Sequence, residues 1–274
     1  MRQVPVGELV FNVLDTGGEG DAVLLLHGFP QTSHSWRLVV PHLHGYRVVA
    51  PDQRGYSPGA RPLDVEDYRL PRLVEDALGL LDALGIVRAH VVGHDWGAAV
   101  AWQLGARHPD RVRTLTAVSV PHPRAFVEAL RTDDDQRARS LYMRDFARPS
   151  YAVELLADDA AALRSLFGES PSAVDVDAMV RAAREPGALD AWLRWYAAQR
   201  LEDIGDTPAV TVPTMHVWSD QDRALGRAGA EGTAAWCTGP YRFEVLPGVC
   251  HWVPEEAGDD LAGLLLPHLA QTPG

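Results

Sequence analysis

Cysteine is nearly absent from this sequence. Cys237 and Cys250 are the only two in 274 residues. Neither lies in a Cys-x-x-Cys pair or a cysteine–histidine cluster, so no zinc site is implied, and a reduced, cytoplasmic setting is the simplest expectation. Long apolar runs are also missing. Leu261 to Leu266 is among the longest, far short of the ~20 residues that span a bilayer. An excess of positive charge is missing too. The formal net charge of −12 argues against nucleic acid and against anionic membrane surfaces as partners. No internal repeat or low-complexity segment stands out. Arg2-Gln3-Val4-Pro5 leads straight into a strand-like segment, with no targeting signal ahead of it.

What is present is enough chain for one large domain, or a domain with an insert. Val4 to Thr16 reads as an edge hairpin turning at Gly7. Ala22 to Leu26 and Tyr46 to Ala50 are apolar runs of the kind buried on both faces of a sheet. Ser33 to Leu43 reads as a helix, and Leu70 to Leu84 as a second, closed by Gly85. A strand then leads into a helix that runs through Arg107, and Val112 to Val120 is the next strand. The order β-α-β-α-β-α-β predicts a mostly parallel sheet covered by helices on both faces. Its reactive loops belong at the carboxyl ends of the strands.

After Pro121-His122-Pro123 the character changes. Phe126 to Asp203 holds no strand-like run, and Pro149, Pro171 and Pro186 divide it into several helices. The expected organisation is a core over residues 1–121, a helical cap over 122–208, and a second part of the core over 209–274. Strands resume at Thr214 to Trp218 and Tyr241 to Leu246, and Glu255 to Leu269 is the closing helix.

The chain is organised around Val91-Val92-Gly93-His94-Asp95-Trp96-Gly97. A strand meets a Gly-x-Asp-x-Gly turn and then a small-residue helix. This is the nucleophile-elbow pattern with aspartate in place of serine. A carboxylate at that apex needs no base to deprotonate it and suits alkylation at an sp³ carbon. The plainer alternative makes Asp95 only the N-cap of the helix. Two further groups follow later strands: Asp222, in Trp218-Ser219-Asp220-Gln221-Asp222, and His251, in Gly248-Val249-Cys250-His251-Trp252. Asp95, Asp222 and His251 stand in the chain order nucleophile, acid, histidine. Asp220 is the competing acid and reads as a loop cap. Asp52 and Arg54 read as an internal ion pair ordering their loop.

With these residues in view, the sequence resembles the α/β-hydrolase superfamily, and within it the aspartate-nucleophile epoxide hydrolases. His27-Gly28-Phe29-Pro30 and Asp52-Gln53-Arg54-Gly55-Tyr56-Ser57 complete the landmarks, which cover nearly the whole chain. The resemblance implies an eight-stranded sheet with an inserted helical cap. It implies Asp95, His251 and Asp222 as the triad, and the backbone N–H groups of Phe29 and Trp96 as an oxyanion hole. It also implies two cap tyrosines facing the nucleophile. Ser140 to Phe146 points to Tyr142, and Trp195-Tyr196 points to Tyr196, while Tyr151 reads as packing. Phe29, Trp96 and Trp195 are the expected substrate-binding side chains. The implied reaction opens an apolar epoxide to a vicinal diol with water, without metal or cofactor, in a monomer or homodimer. Two rivals remain. One is a haloalkane dehalogenase using the same three residues, with Trp96 holding halide. The other is a non-catalytic binding protein built on the same fold. Cys250, beside the expected base, reads as a packed small residue.

Overall fold

Eight strands form one sheet in the computed structural model, which describes residues 1–168 and 170–271. They are β1 (Arg2–Val6), β2 (Leu9–Asp15), β3 (Ala22–Leu26), β4 (Arg47–Pro51), β5 (Ala89–His94), β6 (Val112–Val118), β7 (Thr214–Ser219) and β8 (Tyr241–Leu246). Their spatial order is β1-β2-β4-β3-β5-β6-β7-β8. The hairpin β1–β2 and the pair β2–β4 are antiparallel, and the remaining neighbours are parallel.

The sheet is covered on both faces because its inner strands are apolar without alternation. Every residue of β3 is buried. Its side chains still alternate in direction. Leu24 and Leu26 join one core cluster with α1 (Leu70–Ala83) and α2 (Trp96–Arg107). Val23 and Leu25 join a second cluster on the opposite face. Each fully buried leucine contributes roughly 1.5–3 kcal/mol.

Between β6 and β7 run α3 (Pro123–Thr132), α4 (Asp134–Arg139), α5 (Tyr142–Phe146), α6 (Tyr151–Ser165), α7 (Ala173–Ala183), α8 (Ala188–Ala198) and α9 (Leu201–Gly205). The helical pattern of α6 is interrupted at Ala157 to Ala160, where Asp158, Asp159 and Ala160 take positive φ. After β7 come α10 (Arg227–Gly232), α11 (Val253–Glu256) and α12 (Gly258–Leu269), and α12 covers the second core cluster. Helix α8 is pinned to the loop after β4: Trp192 donates its indole N–H to the Gly55 carbonyl at 3.1 Å, and Trp195 donates to the Arg54 carbonyl at 2.8 Å. Among the described residues no helix is long and apolar enough to cross a membrane.

Three local expectations are corrected. Ser33 to Leu43 is two 3-10 turns, Ser33–Leu38 and Val40–His42, because Pro41 lacks the N–H that a continuing helix needs. The closing helix is divided into α11 and α12 at Ala257, whose φ of −129° is not helical. Arg54 does not pair with Asp52. The chain turns at Gln53, with Tyr56 N–H on the Gln53 carbonyl at 2.9 Å, and this sends Arg54 toward α1. There it grips Asp76 with two hydrogen bonds of 2.6 Å, while Asp52 accepts from the Ser33 N–H at 2.8 Å.

Candidate active site

Asp95 follows β5 with φ 50° and ψ −123°, a conformation that L-residues rarely adopt. The strain is held by the close packing around it. A methyl built on Gly97 would stand 2.1 Å from the Leu26 carbonyl oxygen, and one on Gly93 would stand 2.2 Å from the Gly97 carbonyl oxygen. Only glycine fits at either place. Asp95 makes no side-chain cap to α2. Its Oδ1 instead accepts the Phe29 N–H at 2.8 Å, across from the end of β3. Asp95 thus takes the N-cap position of α2 by its backbone, with the Ala98 and Ala99 N–H groups on its carbonyl at 2.9 and 3.2 Å, while its side chain is left for other partners.

The other carboxylate oxygen, Oδ2, lies 3.6 Å from Nε2 of His251. On the far side of that ring, Nδ1 is 2.8 Å from Asp222 Oδ2. The second oxygen of Asp222 accepts the N–H groups of Ala224 and Leu225 at 2.7 and 3.0 Å, which fixes the carboxylate. Asp220 turns the other way and accepts the Gly248 N–H at 2.7 Å, a loop tie. Burial alone would lower the His251 pKa, but Asp222 and Asp95 outweigh it and raise the ring to about 10. Burial works to raise the Asp95 carboxyl. The hydrogen bond and charge of His251 overcome that and hold it below the usual carboxylate value. The free site thus holds a carboxylate beside an imidazolium.

Two cavities meet at Asp95, and both are bounded by Asp95, Tyr142 and Tyr196. The smaller, about 70 Å³, is walled by Trp96, Val120, Phe126 and Met143. The larger, about 260 Å³, extends past Phe29, Phe146, Arg223, His251 and Trp252. The ring of Tyr196 sits edge-on to Phe29 at 5.3 Å and to Trp96 at 5.1 Å between centroids. Tyr142 lies 6.2 Å from Tyr196 by the same measure. Burial, reinforced by the charge of Asp95, raises both phenols above their ordinary value. Both remain neutral donors at any working pH.

The geometry thus brings together Asp95, His251, Asp222, Tyr142, Tyr196, Phe29 and Trp96. It does not bring Trp195 into the cavities. That indole is buried against Arg54 and touches the site only through its edge contact with Trp96. Tyr151 packs on Phe146 and under Arg148, as expected of a packing residue. The Cys250 thiol is pushed up to about 12 by burial, so it stays protonated beside the base. Phe146, Arg223 and Trp252 also line the larger cavity; Phe146 and Trp252 stand in the segments that point to Tyr142 and His251, but nothing in those segments marks them as lining residues.

Comparisons to known proteins agree with the fold. A family model described as alpha/beta hydrolase fold matches residues 21–258. AB hydrolase superfamily protein YfhM of Bacillus subtilis is 34% identical over 260 residues, covering 92% of this chain and 91% of its own. Epoxide hydrolase A of Mycobacterium tuberculosis is 32% identical over 310 residues, covering 98% and 96%. A solved epoxide hydrolase from metagenomes of hot environments superposes with a TM-score of 0.88 at 30% identity, covering 98% of each chain. The chain belongs to the α/β-hydrolase fold family.

Proposed function

We propose that this protein is an epoxide hydrolase that converts an apolar epoxide to a vicinal diol through an ester on Asp95. The observation that carries the reading is one carboxylate flanked by an Asp-supported histidine and facing two neutral phenols. The names of the relatives above support the same reaction.

In the first half-reaction, Asp95 Oδ2 attacks an epoxide carbon. A carbon–oxygen bond forms on Asp95 as the ring carbon–oxygen bond breaks. The departing oxygen stays bound and takes a proton from Tyr142 or Tyr196, the two donors at the site of developing charge. Esterified Asp95 is neutral, so one of the two carboxylates holding the proton on His251 is lost. That proton passes to the phenolate, and His251 becomes a neutral base.

In the second half-reaction, His251 takes a proton from water, and the hydroxide attacks the carbonyl carbon of the ester. The Phe29 N–H, already on Oδ1, and the Trp96 N–H at the start of α2 hold the oxyanion. The intermediate collapses with cleavage of the acyl–oxygen bond, and the second water proton leaves on the alkoxide. The diol, the Asp95 carboxylate and the His251 imidazolium are regenerated. The helices from α3 to α9 act as the cap that supplies the phenols and shuts out bulk water.

One assay tests this. The purified protein is incubated with styrene oxide and aliphatic epoxides, and separately with 1-haloalkanes, while diol and halide are followed. Diol without halide is the expected result. Halide without diol would make the protein a dehalogenase, and neither product would return it to a binding role.

A further inference from the structure

Next to the triad lies a second line of buried polar groups that the mechanism does not use. Gln31, in the loop after β3, is fully buried. Its Oε1 accepts the Gly28 N–H at 3.1 Å and lies 2.9 Å from Nδ1 of His94. Its Nε2 donates to Oε1 of Glu255, on α11, at 2.7 Å. The orientation of the amide is thus fixed from both ends: a backbone donor meets its oxygen and a carboxyl oxygen meets its nitrogen. The other nitrogen of His94, Nε2, is 2.9 Å from the backbone carbonyl of His251.

Each end of this line abuts a catalytic group. Gly28 precedes Phe29, whose N–H holds Asp95. His94 precedes Asp95 in the elbow and braces the main chain of the catalytic base. The His251 carbonyl is also approached by the Ser119 hydroxyl at 3.4 Å and by the Val253 N–H at 2.9 Å, so the loop carrying the base is held at that atom.

We propose that Glu255, Gln31 and His94 form a buried strut that positions two catalytic groups at once, the oxyanion donor at Phe29 and the ring of His251. None of the three touches the reacting atoms; they are positioning residues. This proposal rests on the epoxide hydrolase reading. Both partners of His94, Gln31 Oε1 and the His251 carbonyl, are acceptors at 2.9 Å, the geometry of a ring that donates from both nitrogens, and it holds the ring in place even though burial and the charge of His251 pull its pKa down to about 4. The groups packed around the line are Asp95, Asp222 and His251 on the His94 side, and Arg37 and Asp175 on the Glu255 side. The strut serves ester hydrolysis most, since that step uses both the oxyanion donor and the base. Alkylation needs mainly the Asp95 carboxylate and the phenols.

The experiment compares the parent with Gln31→Leu, His94→Phe and Glu255→Gln on an epoxide that the parent turns over. Rapid quench gives the rates of ester formation and hydrolysis, mass spectrometry gives the fraction of Asp95 esterified at steady state, and kcat is followed against pH. Gln31→Leu and His94→Phe are expected to slow ester hydrolysis about 10- to 100-fold with little change in ester formation. The Asp95 ester should accumulate, and the limb of the kcat profile set by His251 should move. Glu255→Gln keeps an acceptor for Gln31 and is expected to stay within about twofold of the parent. Folded Gln31→Leu and His94→Phe proteins with parental hydrolysis rate, ester fraction and pH profile would overturn the proposal. So would a Glu255→Gln protein as impaired as Gln31→Leu. If Gln31→Leu does not fold, His94→Phe carries the test. A parent that makes no diol refutes the epoxide hydrolase reading itself, an outcome distinct from active parent and unaltered variants.

Discussion

The Nε2 atom of His251 stands 3.6 Å from Asp95 Oδ2, while the Phe29 N–H sits 2.8 Å from Oδ1. The two oxygens of one carboxylate thus have different partners, and in the proposed reaction Oδ2 attacks the epoxide while Oδ1 becomes the oxyanion. Replacing Asp95 by Asn removes the attacking charge but keeps the shape. Diol formation is expected to fall by about 10³-fold or more, with no ester detected by mass spectrometry.

Replacing His251 by Gln separates the two half-reactions. The nucleophile and both phenols remain, so one equivalent of epoxide should be consumed in a burst. Turnover then stops with the ester intact on Asp95. A peptide map showing that mass on the Asp95 peptide checks it, and sustained turnover would refute the role given to His251.

In the proposed reaction the two phenols share one task, so their losses should compound. Tyr142→Phe and Tyr196→Phe are each expected to lower the rate of ester formation about 10²-fold, the usual cost of one donor to a developing oxyanion. The double variant should lose far more than either. Single-turnover kinetics distinguish this from altered binding, which would change KM alone.

The ion pair of Arg54 and Asp76 is buried on both sides, with side-chain exposure of 10% for each. Desolvation works to raise the Asp76 carboxyl, and Arg54 opposes it only in part. Arg54→Met would strand that carboxyl. A loss of about 3–5 kcal/mol is expected, measured by urea unfolding. Since Arg54 also carries the carbonyl that receives Trp195, the cap should loosen with it.

Stability should also report on the charge of His251. Its pKa in the fold is raised to about 10, above the ~6.5 of an unfolded chain. Between those values the folded protein holds a proton that the unfolded chain has released, so stability falls as pH rises through that window. The stabilisation is fully present below about pH 6.5. Melting temperature followed from pH 6 to 10 should decline more steeply for the parent than for His251→Gln.

Much of this was legible in the sequence, for identifiable reasons. The strands are written as continuous apolar runs, and the elbow needs Gly93 and Gly97 because carbonyl oxygens crowd them. Asp222 is favoured over Asp220 because the family the sequence resembles has its acid just before a short apolar turn; in the fold Asp222 faces His251 and accepts that turn's N–H groups, while Asp220 ties to Gly248. The partner of Arg54 was not legible: it lies 22 residues on, across a turn no local pattern encodes. The place of Trp195 was lost for a related reason. Residues 195 and 196 are neighbours on a helix and so face different directions; one enters the site and the other nails the helix down. The strut of Gln31, His94 and Glu255 joins segments 224 residues apart, and only the folded sheet brings them together.

The two cavities that meet at Asp95, about 70 and 260 Å³, are unequal in size and in lining. An epoxide held as proposed, by its oxygen at the two phenols and by one carbon at the carboxylate, can turn only about the line joining those points. Unequal room around that line would favour the mirror image whose longer arm points into the larger cavity, and the optical purity of the diol would report it.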